Sequence, residues 1–223
     1  MGSSYRNLLQ NAQQALVVTT PAWDSVDGTL SRFEKVDGKW QAVGANWPIV
    51  VGKNGLAWDG AGPQPSGAGP VKKEGDGRSP AGVFPITELF GFAGNMENAK
   101  LPYRQLTESI ECVDDVKSTQ YNKVVDRKQV ATPDWNSSEK MSTVEVYEFG
   151  AVVGYNAKSK AGAGSCIFLH IWKGAGHGTA GCTAMDEVQL KEMLTWLDAD
   201  KKPVLVQFPE TIYNQLKSSL KLP

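Results

Sequence analysis

Residues 165–185 read SCIFLHIWKGAGHGTAGCTAM and contain both histidines of the chain. This segment decides the predicted fold and chemistry. Its first part, residues 165–172, is an apolar run interrupted only by His170, which predicts a central strand buried on both faces. A glycine-rich loop follows and ends at Cys182. We then expect a helix to begin, with Asp186 as its N-cap. The apolar stripe of that helix is Leu190, Met193, Leu194 and Leu197.

Cys182 has the surroundings expected of a reactive thiol. Its neighbours are small, and a position just before a helix N-terminus would favour a thiolate through free N–H groups and the helix dipole. The backbone N–H groups of Ala180, Gly181 and Cys182 are then candidates for an oxyanion hole. His170 ends a strand that leads into the same loop, so it is the candidate base. The alternative is an incidental cysteine near a histidine, because catalytic pairs are defined by geometry.

A family resemblance is carried by FLHIW followed by GHGTAGCTAM. These residues resemble the active-site signature of L,D-transpeptidase catalytic domains, which are bacterial cell-wall enzymes with a cysteine nucleophile and an upstream histidine base. The resemblance implies that Cys182 is the nucleophile and His170 the base. The sequence departs from the usual Ser/Thr-His-Gly-Cys ending at Ala180, and Thr183-Ala184 replaces the usual Ile/Val-Arg. The histidine-to-cysteine spacing is also short, and the chain looks closer to a divergent branch with Thr-Ala-Gly-Cys.

The resemblance covers roughly residues 15–209, including KKEGDGRSPAGVFPI, VDDVKSTQYNKVVD and DWNSSEKM. It predicts that some members of a polar cluster line a substrate groove. The candidates are Asp115, Ser118, Tyr121 and Asn122 from that cluster and Trp135 from the segment DWNSSEKM. We expect Trp172, His177 and Thr179 to contact substrate from the loop before Cys182. Two alternatives stay open, an exposed loop histidine for His177 and a core position for Trp172. Asp114 and Asp115 are adjacent, which favours a turn or cap role over an acid–base pair.

Composition sets broad limits on the class of protein. The chain has 223 residues, 41% of them hydrophobic and 21% charged, with a net charge of −1, which is typical of one soluble globular domain. This balance gives no electrostatic reason to expect nucleic acid or an anionic membrane as partner. No apolar run approaches the roughly 18 residues of a membrane span, so we expect no transmembrane segment.

The three cysteines fit one nucleophile and one pair. Cys112 and Cys166 form either a disulfide in an oxidising compartment or two separate buried thiols. No signal peptide is visible, and the opening MGSS resembles an artificial start that would replace an export signal. We therefore expect residues 1–14 to be an N-terminal helix or remnant, and residues 15–223 to be the catalytic domain.

The predicted fold class is mainly β, a sandwich-like domain with peripheral helices, as in the family it resembles. Asp37-Gly38 is a strong hairpin signal. Residues 59–80 are rich in Gly and Pro and predict a long loop, either a lip over the site or a solvated loop. The predicted strands are 16–19, 30–36, 39–43, 47–52, 56–58, 83–86, 101–113, 145–155, 165–172 and 203–208, and the predicted helices are 4–14, 186–198 and 209–220.

The resemblance implies acyl transfer on peptidoglycan stem peptides, in the periplasm or at the cell wall, without cofactor or metal. Three alternatives stay open. The first is a carboxypeptidase that uses water as acceptor. The second is a metal site built from His170, His177 and Cys182. The third is a non-catalytic wall-binding module.

Overall fold

The computed structural model describes residues 2–61 and 69–223, with side chains from Ser4 onward. The helices are α1 (Gly2–Asn11), α2 (Glu187–Trp196) and α3 (Glu210–Leu220). The strands are β1 (Gln14–Thr20), β2 (Asp27–Val36), β3 (Lys39–Val50), β4 (Leu56–Trp58), β5 (Ser79–Gly91), β6 (Tyr103–Gln105), β7 (Ile110–Val113), β8 (Val124–Asp126), β9 (Ser138–Lys140), β10 (Phe149–Val153), β11 (Phe168–Ile171), β12 (Thr183–Met185) and β13 (Val204–Pro209). Single 3₁₀ turns lie at Arg127–Gln129, Met141–Thr143, Glu145–Tyr147 and Ala199–Lys201.

The large sheet closes on itself. Its strands follow the order β10-β11-β12-β3-β2-β1-β13-β5. The long strand β5 pairs with β13 through residues 82–85 and with β10 through residues 86–91, which returns the sheet to its first strand. A second sheet of three strands, in the order β8-β7-β9, stands apart from it. The prediction of a mainly β, sandwich-like domain with a few helices is confirmed.

Turn chemistry explains the β2–β3 hairpin. Asp37 and Gly38 both have positive φ, 50° and 75°, as the two-residue hairpin turn requires, and Val36 pairs with Lys39. The predicted hairpin is therefore confirmed. Strand β3 then continues to Val50, so the strands predicted at 39–43 and 47–52 are one strand.

Helix α1 occupies most of the segment 1–14. Tyr5 and Leu9 are buried in the same hydrophobic core as the large sheet. Helix α2 buries its predicted apolar stripe, and its N-cap is Asp186, whose side chain accepts a hydrogen bond from the Val188 N–H. Among the described helices, none combines the length and the apolar character needed to cross a bilayer.

Three predicted strands have different bounds in the structure. The strand predicted at 101–113 is divided into β6 and β7, because β7 leaves the large sheet and pairs with β8 and β9. The strand predicted at 145–155 begins with a 3₁₀ turn and becomes β10 only at Phe149. The strand predicted at 165–172 is shortened to β11, since Cys166 has a positive φ of 56° that is incompatible with extended backbone.

The predicted helix begins where expected, after its N-cap Asp186, but the sequence did not indicate the strand that lies between Cys182 and this helix. Residues 183–185 form β12, which pairs in parallel with β11 and antiparallel with β3. Backbone hydrogen bonds on both sides favour the extended conformation over an earlier helical start. Helix α2 begins only at Glu187, so a strand separates it from Cys182.

The predicted loop 59–80 falls partly outside the described residues, which omit 62–68. Of the remainder, residues 70–72 run beside β4. The Trp58 N–H donates to the Pro70 carbonyl at 2.8 Å, and the Lys72 N–H donates to the Trp58 carbonyl at 2.9 Å. That this loop is a lip over the site stays a prediction.

Candidate active site

Strands β11 and β12 bring Cys182 and His170 to one region of the large sheet. Cys182 immediately precedes β12, and the Phe168 N–H at the start of β11 donates to its Sγ at 3.3 Å. Phe168 and His170 are two residues apart on β11, so their side chains project to the same face. The thiol therefore lies at the end of the strand that carries the imidazole.

The Cys182 thiol is buried and neutral. Its residue is 6% exposed, and the S–H donates to the Cys166 carbonyl at 3.5 Å. Burial raises the pKa of the thiol to about 12, and the charge of Glu139 adds to this rise. The Phe168 N–H, the Tyr147 hydroxyl and the charge of Lys72 oppose the rise. The expectation of a thiolate favoured by a helix N-terminus is wrong, because the residues after Cys182 form a strand.

His170 is held as a neutral imidazole with one defined tautomer. Its Nδ1 lies 2.7 Å from the Ile171 carbonyl oxygen, which can only accept, so Nδ1 carries the proton and Nε2 keeps its lone pair. Burial lowers the pKa of His170 to about 4, the charge of Lys173 lowers it further, and the bond to Ile171 opposes the shift. A neutral imidazole with a free Nε2 can accept a proton from a thiol.

Two hydroxyl groups hold the backbone of Cys182. The Thr179 hydroxyl donates to the Cys182 carbonyl at 2.6 Å, and the Ser79 hydroxyl donates to the same oxygen at 2.8 Å. Thr179 also accepts the Gly181 N–H at 3.1 Å. The predicted oxyanion donor Gly181 therefore already has a partner, which leaves the amides of Ala180 and Cys182 as candidates.

The loop before Cys182 places the remaining predicted contact residues at the surface. His177 is exposed, and its Nδ1 lies 3.2 Å from the Ala175 carbonyl oxygen. The Gly176 N–H donates to the carboxylate of Asp27 at 2.8 Å, which ties the loop to β2. Trp172 is partly exposed directly after β11. This loop is therefore accessible to a ligand, while Thr179 is occupied in holding Cys182.

Tyr121 does not present a surface to a ligand. It is 2% exposed, its hydroxyl donates to the carboxylate of Glu74, and the same oxygen accepts the Gly164 N–H at 3.1 Å. Glu74 also accepts the Ser165 hydroxyl at 2.7 Å. This placement does not support direct substrate contact by Tyr121 and favours a role in holding the segment before β11.

Asn122 has a similar position. Its side-chain N–H groups donate to the carbonyls of Tyr155 and Asn156, both at 2.9 Å, and its Oδ1 accepts the Cys166 N–H at 3.0 Å. Asn122 has a positive φ of 61°, which asparagine tolerates better than most residues. Its amide thus has three partners within the chain, and it fixes the turn that leads to Cys166.

The other members of the polar cluster stabilise turns. Asp115 accepts the N–H groups of Lys117 and Asn136, at 2.9 and 2.8 Å, which confirms the predicted turn role. Asp114 accepts the Ser137 hydroxyl. The Ser118 hydroxyl donates to Asp134, and Trp135 is buried. These contacts are internal to the small sheet and its connections.

A disulfide joins the small sheet to the site. Cys112 of β7 and Cys166 are bonded, which decides between the two alternatives for these cysteines. Cys182 is then the one cysteine outside the disulfide. The backbone carbonyl of Cys166 accepts the hydrogen bond from the Cys182 thiol. A residue of the disulfide therefore contacts the candidate nucleophile directly.

Sequence reasoning missed Tyr147 and Glu139. Tyr147 lies in a stretch predicted as strand, and Glu139 lies in a polar segment with no periodic pattern. In the structure the Tyr147 ring packs against the His170 ring, with centroids 5.2 Å apart, and its hydroxyl donates to Glu139 at 2.9 Å. The only available signal was the family resemblance of DWNSSEKM, which includes Glu139.

Within residues 2–61 and 69–223, no three His, Cys, Asp or Glu side chains gather in the way that a metal site requires. The triad of His170, His177 and Cys182 considered from the sequence is thus not assembled.

A family model described as YkuD, the L,D-transpeptidase catalytic domain, matches residues 29–206, which is well over half of the chain. Comparisons with curated proteins and with solved structures found no match.

Proposed function

Because the chain belongs to the L,D-transpeptidase catalytic-domain family, we propose that it modifies peptidoglycan stem peptides by acyl transfer through a thioester on Cys182. In this proposal His170 is the base. The observation that best supports it is the pairing of β11 with β12, which brings the one cysteine outside the disulfide to the strand carrying a neutral histidine. The family acts on peptidoglycan, so the substrate class comes from family membership.

The proposed reaction begins with the neutral pair. Nε2 of His170 takes the thiol proton while Sγ of Cys182 attacks the carbonyl of the diamino-acid residue that precedes a terminal D-amino acid. The amides of Ala180 and Cys182 stabilise the oxyanion. The imidazolium then gives its proton to the leaving amine, the C–N bond breaks, and a thioester remains.

The second half of the reaction releases the enzyme. An acceptor amine attacks the thioester carbonyl and forms a new cross-link, with His170 taking the amine proton and returning it to the thiol. Water in place of the amine would give a trimmed stem peptide by the same steps. No metal or cofactor takes part in these steps.

The pKa values of the two groups support a concerted first step. A thiol pKa of about 12 and an imidazole pKa of about 4 make a free thiolate–imidazolium pair strongly unfavourable in the unliganded protein. We therefore propose that proton transfer accompanies formation of the S–C bond, when substrate is bound. His177 and Trp172, on the exposed loop, are the proposed contacts to the substrate, with His177 facing its carboxylate. Thr179 would shape the site by holding Cys182.

We also propose that the protein acts outside the cytoplasmic membrane, in the periplasm or at the cell wall. Peptidoglycan lies there, and the Cys112–Cys166 disulfide fits an oxidising compartment.

The test is intact-protein mass spectrometry after incubation with a tetrapeptide stem. We expect a thiol-labile adduct on the wild type, with release of one D-amino acid, and none on Cys182→Ser. His170→Gln should form the adduct much more slowly, whereas His177→Gln should still form it and mainly raise KM. Adding an amine acceptor separates cross-linking from trimming. A wild-type protein that forms no adduct and releases no amino acid would contradict the proposal.

A further inference from the structure

Tyr147 packs against one of the proposed catalytic side chains and shares a buried cluster with the other. Its ring lies edge-on to the His170 imidazole, with centroids 5.2 Å apart and planes at 62°. The same ring packs at 5.4 Å from the Phe168 ring, the residue whose N–H donates to the Cys182 thiol. Tyr147 is 4% exposed and shares one buried cluster with Phe168 and Cys182. Its position is therefore defined by packing on several sides.

The Tyr147 hydroxyl links the thiol to a carboxylate. It donates to Oε1 of Glu139 at 2.9 Å, and it acts against the rise in the pKa of the Cys182 thiol. Burial raises the pKa of Glu139, and the charge of Asp114 adds to the rise, whereas the bond from Tyr147 opposes it. Glu139 is partly buried, and the hydrogen bond from Tyr147 compensates its carboxylate for lost contact with water.

Both residues come from the part of the chain that lies beside the large sheet. Glu139 is on β9 of the small sheet, and Tyr147 is on the 3₁₀ turn that precedes β10. The Cys112–Cys166 disulfide joins that small sheet to the segment whose carbonyl contacts the thiol. The small sheet is thus joined to the site by two links, the hydrogen bond between Glu139 and Tyr147 and the disulfide.

We propose that Tyr147, held in place by Glu139, is a positioning residue that orients the Cys182 thiol through its hydroxyl and the His170 imidazole through its ring. The inference rests on the proposed function, because it assigns Tyr147 and Glu139 roles in the same acyl transfer. Neither residue forms a bond to substrate in this account. Glu139 acts on the thiol in two ways, through the hydroxyl that it holds and through its own negative charge.

Three side chains from three parts of the chain act on the thiol. They are Glu139 on β9, Tyr147 on its 3₁₀ turn and the buried Lys72, whose Nζ donates to Asp76 at 2.6 Å. Glu139 in turn faces Asp114 and Tyr147. The hydroxyl has one proton, which it donates to Glu139 while the thiol is neutral and can donate to the sulfur once the thiolate forms. Removing the carboxylate charge should therefore make the thiol a stronger acid, and removing the hydroxyl should make it a weaker one. A purely structural role would not produce shifts of opposite sign.

The first experiment is an ultraviolet titration of the Cys182 thiolate without substrate. Each spectrum is taken as the difference from the same background carrying Cys182→Ala, which cancels tyrosinate absorbance. At a fixed alkaline pH we expect Glu139→Gln to have several-fold more thiolate than the wild type and Tyr147→Phe to have several-fold less. Two matched controls, Glu88→Gln and Tyr103→Phe, remove a similar charge and a similar hydroxyl from other contacts, Arg104 and the Ala93 carbonyl, and should leave the titration unchanged.

The second experiment follows turnover of a tetrapeptide stem. We expect Tyr147→Phe to lower kcat by on the order of tenfold to a hundredfold with little change in KM, as misorientation of reacting groups does. Tyr103→Phe should keep both constants. If the wild type itself shows no turnover, the proposed function fails, yet the titration still tests the positioning role.

Two results would overturn the inference. One is a thiolate titration that is the same in the wild type, Glu139→Gln and Tyr147→Phe. The other is a shift of the same sign in both variants. Circular dichroism and thermal unfolding establish that each variant is folded. If Tyr147→Phe does not fold, Glu139→Ala replaces it, because this variant keeps the Tyr147 ring but removes the group that holds its hydroxyl, and an unchanged kcat would then overturn the inference.

Discussion

Cys182 and His170 are both held in their neutral forms, and burial is the first cause in each case. It raises the pKa of the thiol to about 12 and lowers that of the imidazole to about 4. A site of this kind has little reactivity toward water or small electrophiles at rest, because thiolate is scarce. The reactive arrangement then depends on substrate, whose carbonyl accepts the sulfur as the proton moves.

The lowered pKa of His170 has a consequence for stability. Its folded value of about 4 lies below the usual 6.5, so this group contributes stability above pH 6.5 that is lost as the pH falls toward 4. Between pH 7.5 and pH 5 the wild type should lose about 2 kcal/mol of unfolding free energy from this residue. His170→Gln should lack that loss, as measured by urea unfolding at the two pH values.

The exposed His177 provides the matched control for this prediction. His177→Gln should show the same acid-dependent decline as the wild type. An equal decline in His170→Gln and the wild type would mean that His170 is not buried in its neutral form.

At the scale of elements, local sequence signals predicted the boundaries that turn and cap residues themselves determine. Asp37-Gly38 adopts the positive φ values of its turn, and Asp186 caps α2. Local signals were insufficient at Cys166, whose positive φ is held by a hydrogen bond from its N–H to Asn122, 44 residues away. They were also insufficient at residues 183–185, which become β12 because β11 and β3 provide partners.

The cap of α2 can be tested by a pair of substitutions. Asp186 accepts the Val188 N–H at 3.0 Å, so Asp186→Ala should lower the free energy of unfolding by about 1 kcal/mol. Asp186→Asn retains an acceptor of the same shape and should stay close to the wild type. Chemical denaturation of the three proteins measures the difference. Equal losses in both variants would show that the cap hydrogen bond does not carry the effect.

At the scale of the whole molecule, two sheets meet at the candidate site. The large closed sheet supplies Cys182 and His170, and the small sheet and its following turn supply Glu139 and Tyr147. The disulfide between Cys112 and Cys166 connects the two across 54 residues of sequence. The relative position of the two sheets is therefore part of the geometry of the site.

The disulfide should contribute strongly to global stability. Closing a loop across 54 residues restricts the unfolded chain, which in the chain-entropy model corresponds to about 4 kcal/mol. The free energy of unfolding of the double variant Cys112→Ser/Cys166→Ser, measured in urea, should be lower than that of the wild type by much of this amount. The variant contains no additional free thiol. A reducing agent should destabilise the wild type and leave the double variant unchanged. A stability that does not respond to reduction in the wild type would contradict this prediction.

The sequence by itself determined the mainly β class, the hairpin at Asp37-Gly38, the apolar stripe of α2 and the identity of Cys182 and His170 as the candidate pair. These follow from local periodicity, turn chemistry and a short motif, all of which are properties of neighbouring residues. Only the tertiary structure decided the closed sheet, the state of the thiol and the position of Tyr147 and Glu139. The reason is that strand partners, burial and electrostatic neighbours come from segments far apart in the chain, and burial outweighs the local features that favoured a thiolate.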